Sequence, residues 1–115
     1  MRTAEELKKK ITEKRISELE DSLTEDVKLA WDTLEEMVIS NDIKCIYLEY
    51  NNGSILHQGI LNSECFYDLV ELLKLKGYRV DEHYDGRPVI TDERGYVKMN
   101  KDAKIIGYLI RWDVS

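Results

Sequence analysis

The sequence is poor in the residues that interrupt or cross-link a chain. Of 115 residues, one is proline (Pro88), two are cysteine and one is phenylalanine. With a single late proline and no Gly- or Ser-rich tract there is no linker, and so no second domain joined by one. Two cysteines without a C-x₂-C pair exclude a disulfide-dense secreted scaffold and disfavour a zinc site. The longest uninterrupted apolar run is residues 105–110, and even it contains Gly107. A membrane-spanning helix needs about 20 apolar residues, so no membrane association is expected. The opening Met1-Arg2-Thr3-Ala4-Glu5-Glu6-Leu7 lacks the apolar stretch of a secretory signal, which points to a cytoplasmic protein with reduced thiols. Basic residues number 17 against 23 acidic ones, a net charge of −6 that disfavours nucleic acid as a partner. Neither G-x-x-x-x-G-K-[ST] nor G-x-G-x-x-G occurs, so phosphate-cradling loops are missing as well.

What is present is 43% apolar and 35% charged residues, the balance of one globular α+β domain spanning residues 1–115. Thr3 and Glu6 have the spacing of a helix-starting capping box. Good helix formers then run without Gly or Pro to Gly53. Leu7, Ile11, Ile16, Leu19 and Leu23 make a loose stripe, which sharpens into Val27, Ala30, Trp31, Leu34 and Val38. Ser22 and Glu25 repeat the capping-box spacing, so one bent helix or two consecutive helices fit this half. Residues 1–22 are polar enough to read as a projecting helical arm, a surface for a homo-oligomer. Residues 1–40 carry −4 of the net charge, an excess assigned to this N-terminal helix.

From Ile43 the period becomes two. Residues 43–50 read as a strand, Asn52-Gly53 as a type I′ turn and residues 54–61 as the returning arm of a β-hairpin. A helix capped at Asn62 or Ser63 carries Phe66, Leu69, Val70, Leu72 and Leu73, and Gly77-Tyr78 reads as its Schellman-type stop. Residues 78–84, 88–91, 96–99 and 103–112 read as extended. The last is apolar on both faces and so belongs in the middle of the sheet, covered by helices. The expected fold is therefore one or two N-terminal helices, a β-hairpin, a helix and a mainly antiparallel sheet of about five strands.

Candidate chemistry is sparse. Cys65, at a helix start, could pair with His57 or His83, but no third orienting group stands at a recognisable spacing, and a packed side chain is the simpler reading. Cys45, inside a strand, reads as core. Asp81-Glu82-His83-Tyr84-Asp85-Gly86 with Asp92 imitates a calcium loop, but His at the third position and Asp at the twelfth do not suit the cation. Lys8-Lys9-Lys10, Lys14 and Arg15 are interleaved with Glu5, Glu6, Glu13 and Glu18, as on a salt-bridged helix surface. No catalytic residue, metal ligand or cofactor is assigned. The aromatic residues are the richest recognition resource, because Tyr and Trp combine contact area with a polar tip. The candidate binding residues are Trp31, Tyr47, Tyr50, Tyr84, Tyr96 and Trp112, with several tyrosines expected to share one sheet face.

Three segments, Thr3-Ala4-Glu5-Glu6-Leu7, Leu61-Asn62-Ser63-Glu64 running on to Lys76-Gly77-Tyr78-Arg79-Val80, and Leu109-Ile110-Arg111-Trp112, carry a likeness. In them the chain resembles small accessory proteins of tailed bacteriophages. It departs from that group in the turn-rich stretch 85–102 and in three residues after the Trp. The resemblance carries over no catalytic residue; it implies a phage or prophage product made in a bacterial cytoplasm. The resulting expectation is a non-catalytic accessory or host-takeover protein that binds and inhibits a host or anti-phage defence protein. Three alternatives stand beside it: a minor virion or assembly component, a binder of a small ligand such as a signalling nucleotide, and a cysteine-dependent hydrolase.

Overall fold

Two helices open the chain, and the break between them falls at Leu23-Thr24. In the computed structural model, which describes residues 1–51, 54–87 and 89–113, α1 (Ala4–Ser22) starts at Thr3, whose hydroxyl accepts the Glu6 N–H at 3.2 Å. Helix α2 (Glu25–Asn41) is capped by Thr24, which accepts the Val27 N–H at 3.3 Å. Ser22, the residue expected to cap it, instead donates to the Leu19 carbonyl and to Asp68. Two consecutive helices are thus the outcome, because Leu23 and Thr24 take extended backbone angles.

The following strand, β1 (Cys45–Glu49), does not turn into a hairpin. Residues 55–61 form helix α3 (Ile55–Leu61), which corrects the expected second arm; the turn residues Asn52 and Gly53 lie outside the described residues. The reason is tertiary. Ile60 and Leu61 are buried and Leu56 packs against the core, a gain that outweighs the poor helix propensity of Gly59 and two isoleucines.

Helix α4 (Phe66–Leu75) ends as a full Schellman motif. The Tyr78 N–H reaches the Leu73 carbonyl at 3.0 Å and the Gly77 N–H reaches Lys74 at 3.2 Å, with Gly77 at φ +100°.

The remaining strands are β2 (Arg79–Asp85), β3 (Val89–Thr91), β4 (Val97–Met99) and β5 (Lys104–Arg111). They complete an α+β fold whose five strands are antiparallel and split into a sheet ordered β1-β5-β2 and a separate β3–β4 hairpin. As expected, β5 is central. Helices pack on the sheet's outer strands, α3 on β1 and α4 on β2, with α1 on α4 and α2 on α3. Burial alternates between the faces: Ile46, Leu48, Tyr108 and Ile110 are buried, whereas Cys45, Tyr47 and Leu109 are half-buried. Leu48, Ile60, Leu69 and Ile110 are the deepest residues of the single core cluster. Between His83 and Tyr84 the register slips, so Ile106 opposes no residue of β2, and Ile105 packs against the core.

Helix α1 is anchored through its second half, by Arg15 on Glu71 (2.8 and 2.9 Å) and Lys76 on Glu20 (2.9 Å), while Leu7 and Ile11 are exposed. Its six acidic and five basic residues leave it near neutral. The negative charge sits on α2, with five acidic residues against Lys28, which relocates the excess assigned to the N-terminal helix. The Cα radius of gyration, 17.4 Å, exceeds the ~13 Å of a compact chain this long. Among the described residues no helix is long and apolar enough to cross a membrane.

Candidate functional site

Two places gather functional side chains. The first is the sheet face that no helix covers. Directly opposed residues share a face, so the β1–β5–β2 registers set out three rows: Cys45, Arg111 and Arg79; Tyr47, Leu109 and Asp81; Glu49, Gly107 and His83. In the first two rows Asp81 bridges two guanidinium groups that would otherwise repel. It accepts from Arg111 Nη2 at 2.8 Å and pairs with Arg79 Nε at 3.0 Å. The Arg111 hydrogen bond, followed by Arg79, holds the Asp81 carboxyl below its ordinary pKa.

Tyr47 crosses this face. Its hydroxyl is hydrogen-bonded to Nδ1 of His83, with ring centroids 5.4 Å apart, although β5 lies between their strands. Gly107 makes the crossing feasible: a Cβ there would stand 3.0 Å from the Tyr47 ring and hydroxyl and 2.6 Å from the Leu48 carbonyl oxygen. Burial, with a smaller contribution from Glu49, raises the Tyr47 pKa, so its hydroxyl stays protonated near neutrality. A depression of about 380 Å³ lies over Leu109, bounded by Tyr47, His83, Asp81 and Glu82. The nine residues hold two arginines against Asp81 and Glu49, a balance that selects no ion by charge.

The second place is a groove along α2. Trp31, Glu35 and Tyr78 are common to two adjoining cavities of about 450 and 230 Å³. Trp31 and Tyr78 meet edge to face at 6.2 Å, and Tyr78 meets Trp112 in the same way at 6.4 Å. Glu35 accepts from Trp31 Nε1 at 2.5 Å, and Glu20, Asp32, Lys28 and Lys76 complete the rim.

The six expected binding residues therefore do not form one surface. Trp31 and Trp112 share the groove, Trp31 being buried. Tyr47 lies on the open sheet face. Tyr50 is exposed beyond β1, 6.4 Å from the buried Tyr108. Tyr84 bonds Glu82 near the end of β2, and Tyr96 stands exposed beside the β3–β4 turn. The tyrosines do not share one sheet face, because the pleat sends Tyr47 and Tyr108 to opposite sides.

Cys45, expected in the core, is half-buried and belongs to the open face. Cys65 is buried at the start of α4, its Sγ 3.0 Å from Ser63 Oγ. Burial pushes its thiol pKa up, but hydrogen bonds from Ser63 and Thr24 outweigh this and leave it lowered. His83 is engaged with Tyr47 across the sheet from Cys65, so these two do not pair. Asp81, Glu82 and His83 lie along β2 and form no loop. Among the described residues no three His, Cys, Asp or Glu side chains converge to hold a metal ion.

Sequence reasoning passed over Tyr78, Gly107 and the Asp81–Arg111 pair. Gly107 alone carried a signal, being a glycine inside an apolar strand, a mark of close approach. Compared with known proteins, the chain matches no family model, no curated protein and no solved structure.

Proposed function

We propose that this chain acts by binding a protein partner and that the groove along α2 is its receptor surface. One observation carries the reading: Trp31, Tyr78 and Trp112 stack edge to face along contiguous open space, the kind of aromatic lining on which binding energy concentrates. The net −4 of α2 suits a partner segment that places an apolar side chain in the groove and Lys or Arg beside it. Taken with the resemblance to phage accessory proteins, that partner is a host or anti-phage defence protein, blocked in the bacterial cytoplasm by a non-catalytic inhibitor.

The test compares the wild-type chain with an Asp32→Lys/Trp112→Ala variant in affinity capture from a bacterial lysate and in growth on expression. One protein retained by the wild type and lost by a variant with an unchanged circular dichroism spectrum is the expected result. Equal capture by both chains, or no partner together with no growth effect, would overturn the reading. Recovery of the chain in purified particles would favour a virion component instead.

A further inference from the structure

The two outer strands of the β1-β5-β2 sheet have very different free edges. Four of the seven residues of β2 are charged (Arg79, Asp81, Glu82, Asp85) and its register is broken at His83/Tyr84. Charge and irregularity are what protect an edge from pairing. Strand β1 has an unbroken register, no proline and a charge only at Glu49, its last residue.

The direction of the main-chain groups on β1 follows from one hydrogen bond. The Tyr50 N–H donates to the Ile106 carbonyl at 2.9 Å, and that pair continues the β1–β5 register. In an antiparallel ladder bonded and non-bonded pairs alternate. Leu48 and Ile46 therefore also bond to β5, and the N–H and C=O groups of Cys45, Tyr47 and Glu49 point out of the edge. Gln58 Nε2 covers the Glu49 carbonyl at 3.5 Å. Among the described residues these groups of Cys45 and Tyr47 have no hydrogen-bond partner.

We propose that the free edge of β1 pairs antiparallel with β1 of a second copy of this chain, joining two three-stranded sheets into one of six strands. A two-fold axis through Ile46 sets Cys45 of each copy opposite Tyr47 of the other. That register satisfies the open groups of both residues and leaves the Glu49 carbonyl to Gln58. Ile46 then meets Ile46 of the second copy on the helix-covered face, and Lys44 lies opposite Leu48. No like charges are opposed. This self-complementarity argues for a second copy over an unrelated strand, as does the apolar side chain of Ile43, 41% exposed just before the edge. The pairing also joins the two open faces carrying Tyr47 and His83.

Sedimentation equilibrium over a concentration series, together with non-reducing electrophoresis, tests the pairing. The wild-type chain is expected to dimerise and Tyr47→Lys to remain monomeric. Tyr47→Cys is expected to form an intermolecular disulfide with Cys45 of the second copy under mild oxidation, because opposed strand residues lie within disulfide reach. Adding Cys45→Ser abolishes that cross-link, and His83→Cys, on the guarded edge, forms none. If Tyr47→Lys fails to fold, the cross-link decides. A monomer at every concentration overturns the pairing, and so does a dimer without the Cys45 cross-link. A dimer that dissociates on Ile11→Lys but persists in Tyr47→Lys also overturns it and moves the contact to α1.

Discussion

The Tyr47 hydroxyl reaches Nδ1 of His83 across the central strand β5, over the one residue there that lacks a Cβ, Gly107. Three strands thus share one dependence, and Gly107→Ala is its direct test. The new methyl would sit 2.6 Å from the Leu48 carbonyl oxygen, a main-chain atom that cannot turn aside. We expect a loss of about 1–3 kcal/mol, read as a lower urea midpoint at unchanged m-value. The His83 ring resonances should shift as Tyr47 is displaced. Wild-type stability would show that the strands can separate at no cost.

Acid sensitivity should trace to two arginine-paired carboxylates. Hydrogen bonding from Arg111 lowers the pKa of Asp81, and hydrogen bonding from Arg15 lowers that of Glu71. The unfolded chain takes up these protons at the ordinary values, 3.8 and 4.5, while the folded chain stays ionised. Stability from both pairs is therefore present above those values and is lost as pH falls through the lowered folded ones. Urea midpoints measured against pH should fall less steeply in Asp81→Asn/Glu71→Gln than in the wild type. Salt should flatten the wild-type curve too, mainly through the exposed Arg15–Glu71 pair, the Asp81–Arg111 pair being half-buried.

Trp31 carries more structural weight than Trp112. It is 7% exposed, and its indole N–H is satisfied by Glu35. Trp31→Ala should cost about 3–5 kcal/mol. Trp112→Ala, at a half-buried position on the groove's edge, should cost clearly less, which is why it serves as the binding probe. Thermal or urea unfolding of the two variants gives the comparison, and equal costs would contradict the difference in burial.

The start of α2 can be located by mutation. Thr24→Ala should cost about 1 kcal/mol through loss of the hydrogen bond to the Val27 N–H. Ser22→Ala removes contacts to Leu19 and Asp68 and should leave the start of α2 intact, as unchanged hydrogen-exchange protection of the Val27 amide in the full chain would report.

The two thiols should react in the order that their exposure sets. Cys65 has the lowered pKa but is buried against Ser63, whereas Cys45 is half-buried on the uncovered sheet face. Iodoacetamide followed by mass spectrometry should label Cys45 first in the native protein and Cys65 only once urea opens the fold.

Signals confined to a few neighbouring residues were legible in the sequence. Thr3 starts a helix, Lys76-Gly77-Tyr78 ends one, and the apolar run at residues 105–110 is the central strand, because caps, glycine stops and an apolar run act through adjacent positions. Where tertiary contacts competed with a local signal, the sequence misled. Ser22-x-x-Glu25 suited a cap, but Thr24 took the role because Ser22 turns to Leu19 and Asp68. Residues 54–61 read as the arm returning from the Asn52-Gly53 turn signal and became α3, because burying Leu56, Ile60 and Leu61 decided the matter.

The sequence by itself determined an acidic α+β domain with N-terminal helices and an apolar central strand. These follow from composition, periodicity and capping, each a property of residues near one another in the chain. Only the tertiary structure decided that α2 holds the charge beside an aromatic groove, that one sheet face stays bare, and that Tyr47 meets His83. Those relationships depend on strand order and register, set by packing between segments some 30–60 residues apart, as in Tyr47–His83 and Tyr47–Leu109.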